Sequence, residues 1–325
     1  MSDYFDNNIN ANLFAAPKTT QYGSHMLMTD VTKQTKIKNL NIDTRFRDEY
    51  NYLNNSTTPI NYNYNNAANY TITLPDRYTE VKSISVSNVE IPMSFYNISK
   101  DLGNNYFSIV DNSSNAITTI TISDGQYTAT TLSTEINLDL SNNGFGSIVS
   151  YSLTNGGSTA TGFSYFSAAS GNYSVVFNLD SQNNFEKNNF KSKLGWLLGF
   201  RNVSYTITTG NSATSEAFID LNTPKYLYLV VDEHSSGKQN SFVAPLANST
   251  IQKNILARIS VDYQTYPFRS NLIANLTGGL LTTDVRSYTG KTDIQRLVIQ
   301  LINENGKLMN LNGLDFSFCL QLEHE

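Results

Sequence analysis

The stretch LDFSFCLQLE, Leu314 to Glu323, carries the fold class. Leu314, Phe316, Phe318, Leu320 and Leu322 fall on one side of an extended chain, and Asp315, Ser317, Cys319 and Gln321 fall on the other. A strict period of two marks a strand with one buried face. Strands of similar strength precede it in KYLYLVVDE (225–233), NSFVAPL (240–246), NILARISVD (254–262) and DIQRLVIQLI (293–302). Asn305-Gly306 and Asn312-Gly313 supply turn signals before the last strand, spaced for a loop longer than a two-residue hairpin.

At the other end of the chain, NLNIDTRFRD (39–48) sets Leu40, Ile42, Thr44 and Phe46 against Asn41, Asp43, Arg45 and Arg47. YTITLP (70–75) reads as a short strand stopped by Pro75. In EVKSISVSNVEIP (80–92), Ile84 and Val86 share one phase while Val89 and Ile91 share the other. The slip at Ser87-Asn88 predicts a β-bulge, or a strand that bends from one sheet to another.

Between residues 101 and 221 the strands shorten: NNYFSIVD, ITTITIS, SIVSYSL and YSVVFNL. Here ISDGQYTATTLSTEINLDL (122–140) predicts a tight turn at Asp124-Gly125 and an amphipathic helix. Thr128 is its N-cap, and Ala129, Leu132, Ile136 and Leu140 form its apolar stripe. QNNFEKNNFKSK (182–193) is a second helical candidate, with Phe185 and Phe190 near one face. Gly195 and Gly199 in LGWLLGF (194–200) allow Trp196, Leu197 and Phe200 to pack at a tight turn. No repeat of fixed period is present. The fold expected is all-β: a jelly-roll β-sandwich from 35–100 and 222–325, a small α+β insertion at 101–221, and an extended N-terminal arm at 1–34.

Only 15% of residues are charged, against 39% hydrophobic and 12% aromatic, so the chain is globular rather than an acidic disordered one. A net charge of −5 argues against a protein that coats nucleic acid, which needs clustered Lys and Arg. One cysteine, Cys319, excludes an internal disulfide framework. No signal peptide or bilayer-spanning run is evident, so the product is expected to be soluble, made in the cytosol and not inserted in membranes. The sequons at Asn69, Asn97 and Asn275 are expected to be accidents of an Asn/Ser/Thr-rich chain.

Candidate chemistry is sparse. The three histidines, His25, His234 and His324, are far apart and have no zinc-ligand spacing, so no metal or cofactor site is expected. Asp232, Glu233, His234 and Ser235 stand together at a strand end, but adjacent residues of a strand point to opposite faces, which favours a polar loop over an acid/base pair. No catalytic residue is assigned. Arg45 and Arg47, beside Asp43 and Asp48, are expected to form ion pairs with neighbouring strands or subunits. The tyrosines of NYNYNNAANY (61–70), Tyr62 and Tyr64 among them, suit a protein or glycan contact. Arg45, Arg47, Tyr62 and Tyr64 form the candidate interaction surface.

The succession NIDTRFRD, EVKSISVSNVEIPMSFYNIS, ITISDGQYTATTLSTEIN, LGWLLGF, PKYLYLVVDE, NILARISVD and DIQRLVIQLINENGKLMNLNGLDFSFCLQLE resembles the jelly-roll minor capsid and vertex (penton-type) proteins of giant nucleocytoplasmic DNA viruses. The most specific pieces are the turn-helix of Gly125, Tyr127, Leu132, Ile136 and Asn137, and the Leu-Gly-Phe ending at Gly199 and Phe200. Each is degenerate alone, and their order carries the weight. The resemblance implies a non-enzymatic virion protein assembled in the host cytoplasm. Its implied partners are the major capsid protein, other minor capsid proteins and copies of itself, a pentamer if it stands at the vertex. The alternatives are a receptor- or glycan-binding fibre module and, third, a glycosidase.

Overall fold

The alternating segments do become strands, and they pair across long stretches of sequence. The computed structural model describes residues 35–46, 66–154, 160–179, 184–185, 190–234 and 254–325. The N-terminal arm, Arg47, Tyr62, Tyr64 and the expected strand at 240–246 lie outside the described residues. In chain order the elements are β1 (Lys36–Asp43), β2 (Asn69–Pro92), β3 (Tyr106–Asp111), β4 (Ile117–Thr121), helix α1 (Ala129–Asn142), β5 (Val149–Ser152), β6 (Tyr165–Ala168) and β7 (Asn172–Val176). There follow the one-turn helix α2 (Leu194–Leu197), β8 (Ser204–Thr208), β9 (Ala213–Thr214), β10 (Tyr226–Asp232), β11 (Ile255–Ser260), β12 (Asn271–Asn275), β13 (Leu281–Thr283), β14 (Arg286–Asn303) and β15 (Ser317–His324).

The largest sheet is antiparallel, in the order β1-β15-β2-β14-β10-β11-β13, with β12 also on β2. Both ends of the chain therefore build it. Its registers align apolar rows: Ile42, Phe318 and Val89 stand opposite one another, as do Leu40, Leu320 and Val86. In a flat sheet β13 would lie about 19 Å from β2, four strand spacings away. Instead β13 and β11 come within 8 Å of β2, Cα to Cα. The sheet curls back on itself as an all-β sandwich around one core that includes Val86, Leu229, Ile259, Leu301 and Phe318.

The phase slip at Ser87-Asn88 is a bulge: Cys319 pairs with Asn88 and Leu320 with Val86, leaving Ser87 unopposed. There β2 also changes partners, from β14 up to Ile84 to β12 from Asn88 onward. Pro75 does not stop the strand. β2 runs through it because Pro75 lies where the β14 register jumps from Thr73 to Tyr78, before β15 begins to pair at Val81. A residue without an N–H costs nothing at a position with no ladder bond. Alternation also overreaches twice. β1 ends at Asp43 in a 3-10 turn, so Phe46 is 78% exposed, and Leu314, three residues ahead of β15, is 51% exposed.

The short strands form two more sheets, β4-β3-β7-β8 and β5-β6-β9. Helix α1 covers them as its stripe requires: Leu132, Ile136 and Leu140 are fully buried. Thr128 caps it, accepting from the Thr131 N–H while the Thr131 hydroxyl accepts from the Thr128 N–H. The second core is aromatic, with Phe166 5.5 Å from Phe107 and 5.8 Å from Phe200, and Phe177 5.1 Å from Phe200, between ring centroids. Of the second helical candidate, residues 182–183 and 186–189 lie outside the described residues. Phe185 is exposed, Phe190–Ser192 is a 3-10 turn, and the helical turn is Leu194–Leu197 itself.

Candidate functional site

Tyr127 and Gly125 form one unit. A Cβ on Gly125 would fall 2.9 Å from the Tyr127 ring, and the Tyr127 hydroxyl donates to the Ser123 carbonyl at 2.8 Å. Burial, helped by the nearby Glu135 and Asp139 carboxylates, pushes that hydroxyl up to about 12. Gly199 has φ +95°, and its N–H and carbonyl join Trp196 and Ala217. Leu132, Ile136 and Phe200 sit in the second core with Tyr127 against it. All six motif residues thus have a packing role in this part of the chain.

Asn97, 1% exposed, ties that part of the chain to its own exit. Its amide donates to the Tyr127 carbonyl at 2.8 Å and the Leu221 carbonyl at 3.1 Å, and its oxygen accepts from the Tyr127 N–H at 2.9 Å. One side chain thereby clips together the entry near residue 97, the turn before α1 and the return near residue 221. This amide is committed to buried hydrogen bonds, so the Asn97 sequon is not displayed by the folded chain.

Of the candidate interaction residues, Arg45 is described. It does not ladder across strands; its guanidinium forks onto Asp43 two residues away, at 2.6 to 3.1 Å, and lies exposed. The hydrogen bonds from Arg45 hold the Asp43 carboxyl below its ordinary range. Asp232, Glu233 and His234 do not converge. Glu233 turns inward to meet Arg286 at 2.8 Å, both nearly inaccessible, while His234 is exposed with φ +57°. Arg286 also donates to the Val231 carbonyl at 2.8 Å, so this buried pair joins β14 to the end of β10. Among the described residues no group of three or more His, Cys, Asp or Glu could hold a metal ion.

A polar cleft of about 240 Å³ lies between the α2 turn, the loop at Leu102–Asn104, the return at Asp220–Lys225 and the β14 end at Asn303–Lys307. Trp196 is part of its lining. The Arg201 guanidinium stacks on the indole at 3.9 Å and the Lys191 ammonium stands 5.8 Å from the same ring. Arg201 donates through Nη1 to the Trp196 and Phe200 carbonyls, both at 3.0 Å. On the opposite wall Asp220 pairs with Lys225. Glu304 accepts only long bonds, 3.4 Å from Thr223 and from the Lys225 N–H, and its Oε2 is buried without a partner. Burial pushes this carboxyl up.

Sequence reasoning treated LGWLLGF as packing and missed the cleft, since Trp196 and Glu304 come from distant segments. The only local signal was the run of cations Lys191, Lys193 and Arg201 around the single tryptophan.

No protein-family model matches the chain, and no curated protein matches it in sequence. Among solved structures it is similar to the crystal structure of a mavirus penton protein, at 12% identity and a TM-score of 0.42, over 90% of this chain and 100% of that one.

Proposed function

We propose that this chain is a non-enzymatic structural subunit of a large DNA virus capsid, a minor capsid protein of vertex, penton-type position. In this reading 35–100 and 222–325 are the jelly-roll body and 101–221 an inserted domain that faces outward or a neighbouring capsomer. The observation that carries it is the fate of the motif residues. Gly125, Tyr127, Leu132, Ile136, Gly199 and Phe200, which the family resemblance marks out, build one two-sheet unit that interrupts a curled β-sandwich made from both ends of the chain. A sandwich that closes on its core leaves few long free edges, which suits a subunit meant to meet neighbours at chosen surfaces.

The partners in this reading are further copies of the chain and the major capsid protein. Electron microscopy of the purified protein tests it. Class averages with five copies around an axis are the expected result; particles without rotational symmetry at every concentration would remove the vertex assignment.

A further inference from the structure

The cleft around Trp196 has a property that capsid architecture does not call for. On a protein of net charge −5, its lining gathers Lys191, Arg201, Lys225 and Lys307. Lys191 is exposed and, among the described residues, makes no hydrogen bond or ion pair. Arg201 uses Nη1 on two backbone carbonyls; among the described residues Nε and Nη2 make no hydrogen bond and no carboxylate lies within ion-pair distance of the guanidinium. Of the two carboxylates of the lining, Asp220 is paired with Lys225, and Glu304 accepts from the Thr223 hydroxyl and the Lys225 N–H, not from Arg201 or Lys191. The indole face holds both cations in the lining, and Arg201 keeps Nε and Nη2 for a ligand. A planar guanidinium with a free edge is suited to a carboxylate or sulfate oxygen pair.

The remaining lining is not that of a bare anion hole. Asn222 and Asn305 line the cleft, and among the described residues their side-chain amides make no hydrogen bond. Amides offer both donors and acceptors, the complement of hydroxyl groups. A lone anionic group, sulfate or a single carboxylate, would satisfy the cations and leave the amides unused. The volume, about 240 Å³, is below the roughly 300–1,000 Å³ typical of sites for drug-sized ligands and suits a single ring.

We propose that this cleft binds an acidic sugar, one ring carrying a carboxylate or sulfate, with Arg201 and Lys191 on the anionic group and Asn222 and Asn305 on hydroxyls. The anionic sugar could come from a sialylated or a sulfated glycan, and the probes separate these.

Trp196 is the only tryptophan in the chain, so its emission reports on this cleft alone. The intact protein is titrated with N-acetylneuraminic acid, glucosamine 6-sulfate, glucose, glutamate and inorganic sulfate. The expected result is a saturable emission change with one or both acidic sugars and none with glucose. Lys191→Gln, at an exposed position without hydrogen bonds, should weaken binding about tenfold, the loss of one charge-assisted contact. Arg201→Lys, which keeps the charge and loses the fork, should weaken it at least as much. No saturable change, glutamate or sulfate binding as tightly as the sugar acids, or equal affinity in Lys191→Gln would each overturn the proposal.

Discussion

Gly199 offers a comparison in which geometry separates two costs. Its φ is +95°, and an added Cβ would fall 2.8 Å from the Ala217 carbonyl carbon and 3.1 Å from the Phe218 carbonyl oxygen, closer still to the Ala217 oxygen. These are backbone atoms, which cannot swing aside as a side-chain tip can. Gly210, in the same part of the chain, has φ +79° and nothing within 4 Å of its virtual Cβ. Alanine at Gly210 should therefore show only the left-handed conformational cost, about 1–2 kcal/mol. Alanine at Gly199 adds about 1–3 kcal/mol of overpacking and the loss of about 1 kcal/mol from the Ala217 N–H bond to the Gly199 carbonyl, 3.0 Å long. The expected totals are about 3–6 kcal/mol for Gly199→Ala and about 1–2 kcal/mol for Gly210→Ala. Urea unfolding followed by Trp196 emission measures both, since the indole sits three residues from Gly199. Equal losses for the two variants would refute the reasoning, because the close approach to Ala217 would then have no energetic weight.

Phe318→Ala removes a ring that is 1% exposed and should cost about 3–5 kcal/mol in the same assay; a loss below about 1 kcal/mol would mean this face of β15 is not core. Arg286→Met strands a buried Glu233 without its guanidinium and should destabilise by about 3–5 kcal/mol, with much of the loss recovered when Glu233→Gln is added. Glu304 has a folded-state pKa raised by burial, so its contribution is full below the unfolded carboxyl pKa and is lost as pH rises through the folded one. Glu304→Gln should accordingly stabilise the protein near neutral pH and not in acid, and a thermal-melt series with parallel pH profiles for the two proteins would contradict this.

The elements read most clearly from sequence were those fixed by neighbours in the chain. Helix α1 was legible because its cap, its stripe and the turn before it all lie within about twenty residues. The bulge at Ser87 was legible because a phase slip shifts side chains between faces wherever the partner lies. Pro75 was misread for the opposite reason. Whether a missing N–H matters depends on whether β14 and β15 pair at that point, and only the sheet decides that. Phe46 and Leu314 continue an alternation past the place where hydrogen bonding ends, so their pattern outlasts their strand.

The remaining gaps are long-range in the same sense. Glu233 looked like part of a polar loop because its partner, Arg286, is 53 residues away, at the start of β14 where it pairs with β2. Asn97 looked like an accidental sequon, yet its amide bonds groups 30 and 124 residues distant. The Trp196 cleft needs four separate segments, and no window of sequence contains it.

The central claim is that this chain is built to assemble with copies of itself around a vertex. Light scattering of the purified protein across a range of concentrations tests that most directly. For a chain of 36.2 kDa the account expects a stable species of about 180 kDa, five copies. A mass of one chain at every concentration would contradict it.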